Sequence, residues 1–230
     1  MSFLDDYSTY TESLEVPEIF NLWCSMAALS AVAGRKVWLD LGMMKVAPNL
    51  YVVLNSAPGK CGKDTAMNLV RDMLASTPNV FTKSDSITKE KIFEYMESII
   101  KTHPVNNSEL KHIIHCSVTI FATEMSLLIK KNDKDFVSAL CALFNTIPVL
   151  KHSTKTRGEN IIINPYLCIL GGTTPDWISA NVQEDVIEGG LTARTMLIYS
   201  DTPRPPNPDP LVIPRIARLG IPDSQIWYPG

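Results

Sequence analysis

Apolar positions fall along the chain in two rhythms, and their alternation predicts an α/β fold. Leu50 to Leu54 is a continuous apolar run rich in β-branched and aromatic residues, the pattern of a strand buried on both faces. A helical pattern follows from Lys63 to about Ala75 and is broken at Thr77-Pro78. Upstream, Pro17-Glu18 reads as a first helical turn and Gly34 as its stop. Between them Ile19, Phe20, Leu22, Trp23, Met26, Ala27, Leu29 and Val32 lie nearly all round, so the helix is expected to be deeply packed, with Trp23 and Met26 in the core. Val37, Leu39 and Leu41 alternate with Trp38 and Asp40, predicting one strand that leads through Gly42 to the 50–54 strand.

Further along, Val80-Phe81 predicts a short strand, and Thr88 caps a helix to about Lys101 with Ile92, Phe93, Met96, Ile99 and Ile100 inward. His103 to Lys111 reads as a polar loop. Ser117 to Ala122 is a β-branched strand ending at Thr123-Glu124, and Asp133 to Asn145 is an amphipathic helix. Val149-Leu150 and Ile161 to Ile163 flank a basic, glycine-containing tip, the form of a hairpin. Tyr166 to Leu170 is another buried-type strand leading into Gly171-Gly172-Thr173-Thr174, with a helix expected from Pro175. Gly189-Gly190 precedes Arg194 and a strand over Thr195 to Tyr199. Eight of the 16 prolines lie between Pro203 and Pro229, which predicts an extended tail or linker. The resulting division is an N-terminal helix-and-strand extension (1–46), a core (47–202) and a proline-rich tail (203–230).

Composition changes this picture little. With 230 residues, 45% of them hydrophobic, and a net charge of −3, the chain is expected to be globular and without a surface that coats nucleic acid everywhere. No 18-residue apolar span or signal peptide is visible, and five scattered cysteines without a CxxC pair read as reduced thiols, so a cytoplasmic protein with no membrane partner is expected. His112, His115 and Cys116 are close in sequence, but a strand begins there and no second ligand cluster accompanies them, which argues against a metal site.

The chemistry concentrates after the 50–54 strand. Ala57-Pro58-Gly59-Lys60-Cys61-Gly62-Lys63-Asp64-Thr65 joins strand to helix through a glycine loop and a lysine, the layout of a phosphate-binding P-loop. Glycines let successive N–H groups turn inward, the helix N-terminus adds its positive dipole end, and Lys63 brings a point charge to the phosphates. Two positions depart from the pattern: Ala57 replaces the first glycine, and Asp64 replaces the hydroxyl residue that holds Mg²⁺, with Thr65 one residue later. Asp64 and Thr65 are thus the candidate metal ligands. Glu124, ending a buried-type strand, is the candidate for polarising an attacking water, against the plainer role of a helix-capping or surface residue. Thr173 and Thr174 are candidates for sensing the terminal phosphate or the water, although Thr174 equally suits the cap of the following helix. Arg194 is a candidate arginine finger, supplied in cis or from a neighbouring subunit. Lys151, Lys155 and Arg157 suit either a solvated turn or contact with a phosphate backbone.

Several stretches, taken in order, resemble one family. Pro17-Glu-Ile-Phe, Ala27 to Leu39, Pro48-Asn-Leu-Tyr-Val-Val-Leu, the P-loop, Ala122-Thr-Glu124, Thr154-Lys155-Thr-Arg-Gly, Asn164-Pro-Tyr-Leu, Gly172-Thr-Thr-Pro-Asp-Trp177 and Gly189-Gly-Leu-Thr-Ala-Arg194 are similar to phage- and plasmid-encoded replication helicases, primase-helicase-like members of the P-loop class. The resemblance covers about residues 15 to 202. It implies a P-loop NTPase with a RecA/AAA+-like, mainly parallel central sheet flanked by helices, using ATP and Mg²⁺. It also implies a homo-oligomeric ring acting on single-stranded or forked DNA in a bacterial host. Two other readings stand beside it: a nucleotide-gated DNA-binding or assembly module with little hydrolysis, and a nucleotide kinase, prompted by Lys63-Asp64-Thr65. Only seven arginines, four of them at or beyond Arg194, weigh against the kinase.

Overall fold

The computed structural model describes residues 2–84, 87–99, 101–104, 112–130, 133–154, 158–181 and 190–205. Two helices open the chain, α1 (Phe3–Tyr10) and α2 (Glu18–Ala33). A small antiparallel hairpin follows, β1 (Leu39–Asp40) and β2 (Lys45–Val46), before β3 (Tyr51–Asn55) and α3 (Lys63–Ala75). Next come β4 (Thr82–Ser84), α4 (Lys89–Ser98), β5 (Lys101–Pro104), β6 (His112–Ala122), α5 (Met125–Leu128) and α6 (Lys134–Phe144). The hairpin β7 (Val149–Thr154) and β8 (Gly158–Ile163) precedes β9 (Pro165–Thr173), α7 (Pro175–Asn181) and β10 (Thr195–Tyr199).

The central sheet runs β10-β3-β9-β6-β4, with every neighbouring pair parallel, and β5 adds an antiparallel partner to the first half of β6. Strands in such a sheet are buried on both sides, which is why β3 and β9 read as unbroken apolar runs. Alternate residues of β3 divide between the faces. Val52 and Leu54 join Phe20, Cys24, Ala27, Met67 and Val70 from α2 and α3. Tyr51 and Val53 join Ile92, Phe93, Phe136 and Leu140 from α4 and α6. Helices therefore flank the sheet on both sides, as expected of the α/β reading. The N-terminal extension shares one of these two apolar clusters with α3 and the sheet.

Several local readings hold because their signals are local. Gly34 ends α2 with φ +50°, Thr88 accepts a hydrogen bond from the Lys91 N–H, and Asp133 accepts one from the Phe136 N–H. Other expectations are corrected. α2 is not buried all round: Ile19, Leu22, Leu29 and Val32 are each about 40% exposed. Its inner face begins with Phe20 and Asn21 and continues in small residues, Ala27, Ala28, Ser30 and Ala31, which let this part of the helix approach β9 until the Ser30 and Tyr166 hydroxyls lie 2.6 Å apart. The single strand expected over 37–41 is the two-stranded β1–β2 hairpin outside the main sheet. Its turn forms where Asp40 accepts from the Gly42 N–H at 2.9 Å and Gly42 takes φ +79°. The strand expected at Val80-Phe81 begins two residues later, at Thr82. Neither α1, whose Ser2–Asp5 capping box opens it, nor β5 was anticipated from the pattern. Ile100, Lys155, Arg157 and the tail from residue 206 lie outside the described residues. No described helix is long and apolar enough to cross a membrane.

Candidate functional site

β3 hands the chain to α3 through Ser56 to Gly62 at the carboxyl edge of the sheet. Gly59 and Gly62 take φ +66° and +59°, left-handed conformations in which an L side chain is strained. Gly62 is the N-cap of α3 and supplies no side-chain cap, so the first N–H groups of the helix have no partner within it. Pro58, Gly59, Lys60, Asp64 and Thr65 face solvent, Ala57 is half-buried, and Ser56, Cys61 and Lys63 form the buried floor. The loop is fixed from beneath: the Ser56 N–H donates to the Thr173 carbonyl at 3.4 Å, and the Cys61 Sγ lies 3.5 Å from the Ser200 carbonyl.

Lys63 folds back across this loop, donating from Nζ to the Ser56 carbonyl at 2.7 Å and to its hydroxyl at 3.2 Å. Burial lowers its pKa, while the charges of Glu124, Asp64 and Cys61 act in the opposite direction. Glu124 thus belongs to the electrostatic surroundings of Lys63 although the two arise from strands separated by β9. Its own placement argues against a capping role and is that of a surface carboxylate. It occupies the N-cap position of α5 but makes no side-chain cap bond there, and it is exposed.

β9, between the loop strand and the Glu124 strand, makes this approach possible. A Cβ on Gly172 would come within 2.6 Å of the Thr123 carbonyl and 3.1 Å of the Met67 Cε. A Cβ on Gly171 would meet the Met125 Sδ at 2.6 Å. The glycine pair therefore lets the segment leaving β6 lie against β9 and α3. Thr173, the last residue of β9, is fully buried and its hydroxyl has no hydrogen-bond partner; beside it in register, Asn55 at the end of β3 buries an equally unpartnered Oδ1. Thr174 accepts a hydrogen bond from the Trp177 N–H at 3.3 Å, so it is the cap of α7.

The remaining candidates lie elsewhere. Arg194 immediately precedes β10, whose Thr195 pairs with Tyr51 while Tyr199 pairs with Asn55. About 13 Å of strand separates it from the loop end of the sheet. It donates to the Gly190 carbonyl at 2.9 Å, and its Nη2 lies 3.5 Å from the Asn145 Oδ1. In this arrangement its side chain is held at the amino end of the sheet, away from its own loop. Lys151 is exposed on β7, in a hairpin tied to α4 by the Ile161 N–H donating to Glu97 at 3.0 Å and by stacking of His152 on Phe93. His115 is buried, its Nδ1 2.8 Å from the Ser117 hydroxyl. Among the described residues no three side chains of metal-ligating type converge. Asn55 escaped the sequence reading, since a strand-end Asn carries no pattern until its neighbour strand is known.

No protein-family model matches the chain, and no curated protein matches it.

Proposed function

We propose that the chain is the core of an ATP-dependent DNA translocase or helicase of mobile-element replication. The observation that carries this reading is the convergence of a left-handed glycine loop with Lys63, an unpartnered Thr173 hydroxyl and an uncapped Glu124 at the carboxyl ends of three neighbouring parallel strands. Carboxyl ends of parallel strands, where the strand order reverses, are where α/β sheets bind ligands. Here β3 connects towards β4 on one side and β9 connects past it to β10 on the other.

The residues fit a nucleoside triphosphate. The free N–H groups of the α3 N-terminus and the loop would cradle phosphate oxygens, and Lys63 would leave the Ser56 carbonyl for the β- and γ-phosphates. Mg²⁺, held by Asp64 and Thr65, would neutralise charge on the phosphates. A water attacks the γ-phosphorus and the bond to the bridging oxygen breaks, releasing ADP. Glu124 accepts the proton of that water, and the Thr173 hydroxyl donates to the developing phosphate.

The inserted strand favours this reading over a nucleotide kinase. Loop strand and carboxylate strand stand two spacings apart, about 9.5 Å, which leaves room for a water between phosphate and carboxylate. A kinase must exclude that water. The same insertion accords with the RecA/AAA+-like core implied by the resemblance. Asp64, where a hydroxyl residue is usual, favours instead a nucleotide-gated module with little turnover. ATPase assays of the purified protein with and without single-stranded DNA separate the three. DNA-stimulated hydrolysis is expected. Nucleotide binding without turnover would make it a gated module, and phosphate transfer to a nucleoside monophosphate would make it a kinase.

A further inference from the structure

At the opposite, amino end of the sheet lies a cleft of about 880 Å³ between the β1–β2 hairpin and the segment from Phe144 to Pro148. That volume falls in the range of ligand sites. Arg35, from the short turn after α2, lines it and is only 7% exposed. Its Nη2 donates to the Ile147 carbonyl at 2.7 Å, but its Nε is buried without a partner. Burial depresses its pKa, and among the described residues no carboxylate lines the cleft. The carbonyl end of α2 offsets part of this charge. The guanidinium charge has no carboxylate partner among the described residues of the cleft, so its field favours an anion at the cleft mouth.

The rest of the lining is aromatic, apolar and open. Lys45 holds its Nζ 5.0 Å from the Trp38 ring centroid, so a second cation flanks an indole face. Met43 is fully exposed and Met44 60% exposed, leaving the hairpin side open to solvent. The opening on the hairpin side lets an extended chain enter the cleft and leave it. A duplex keeps its base faces stacked inside and would offer Trp38 nothing, whereas an unpaired strand offers both a phosphate and a base face.

We propose that this cleft binds single-stranded nucleic acid, with a phosphate at Arg35 and Lys45 and a base against Trp38 and Met44. The proposal deepens the DNA-dependent ATPase reading and rests on it for the identity of the ligand. It sets the strand at the far end of the sheet from the nucleotide, beside Arg194, whose Nη2 approaches the cleft residue Asn145.

The test uses the full chain, a short fluorescent oligothymidylate and a fluorescent ATP analogue. Trp38→Ala is expected to weaken oligothymidylate binding at least fivefold, about the lower limit for one stacked base. Lys45→Ala is expected to reduce the slope of log affinity against log salt by about one. Both variants should bind the ATP analogue as the wild type does. Wild-type oligothymidylate binding in both variants overturns the proposal, as does equal competition by inorganic phosphate or a mononucleotide, which would make the cleft a small-anion site. A change confined to self-association in the two variants also overturns it, marking a protein interface. If the wild type binds the ATP analogue but no oligothymidylate, the cleft proposal fails and the nucleotide site stands. If oligothymidylate binding depends on Trp38 but no nucleotide binds, the cleft stands and the ATPase reading fails.

Discussion

Asn55 and Thr173 end adjacent parallel strands side by side, and each buries a side-chain oxygen that nothing in the protein satisfies. A buried polar atom without a partner is a standing destabilisation of about 1–3 kcal/mol. Two of them at one spot, beside a glycine loop, are what a site awaiting a polar ligand would contain. Thr173→Val is accordingly expected to leave thermal stability unchanged or raise it by about 1 kcal/mol, while ATP turnover falls at least tenfold, about 1.4 kcal/mol of barrier. Melting and hydrolysis measured on the same preparation check this. A variant that loses stability and keeps turnover makes Thr173 a structural residue.

Lys63 is expected to supply much of the triphosphate affinity. Lys63→Ala should weaken binding of an ATP analogue at least tenfold, which is about 1.4 kcal/mol. The same residue leaves a trace in the pH dependence of the empty protein. Its folded-state pKa lies below the ordinary 10.5, so between those two values the unfolded chain binds more protons than the folded one. Stability contributed through Lys63 therefore rises with pH across that window. In Lys63→Met that rise disappears, and melting curves collected up the alkaline range would reveal the difference.

Gly172→Ala tests whether close packing of β9 positions Glu124. The added methyl meets a backbone carbonyl, Thr123 O, which has little freedom to yield, whereas the methyl of Gly171→Ala meets the flexible end of Met125. Gly172→Ala should cost about 1–3 kcal/mol and Gly171→Ala less. Because the shift falls on the segment carrying Glu124, Gly172→Ala should also lower turnover while nucleotide affinity is kept. Equal turnover in both variants and wild type would disconnect this packing from catalysis.

Arg194 and Glu124 give a test of assembly. Glu124→Gln is expected to bind nucleotide normally and to lose about 10²-fold in turnover, the scale of a general base. It should melt like the wild type, since its side chain makes no cap bond. Arg194 is held at the amino end of the sheet, so a finger role is expected to be exercised from a neighbouring subunit. On that reading Arg194→Ala loses about 10³-fold or more in hydrolysis with nucleotide affinity intact. Mixing it with Glu124→Gln then restores part of the activity, because some interfaces join an intact Glu124 to an intact Arg194. No recovery under demonstrated subunit exchange removes the finger role and leaves Arg194 to the cleft at the amino end of the sheet.

What the sequence alone determined was local. Gly34, Thr88, Asp133 and Thr174 each bond within a few residues of themselves, so caps and helix limits could be read directly. The apolar runs of β3 and β9 marked central strands, because only strands covered on both faces lack alternation. The glycine loop with Lys63 was legible for the same reason, its backbone demands being met by residues adjacent in the chain. Strand order was not legible. That β9 stands between β3 and β6, and so brings Thr173 beside Asn55 and opens the gap before Glu124, depends on crossovers spanning tens of residues. Nor could the pattern say which side of α2 is buried, since both sides are apolar; in its second half the close approach to β9 selects the small residues, because large ones would hold the helix away. The placement of Arg194 at the end opposite the loop has the same origin. Parallel pairing of β10 with β3 sends its carboxyl end to the side of the glycine loop, and a residue preceding that strand is carried to the other end of the sheet.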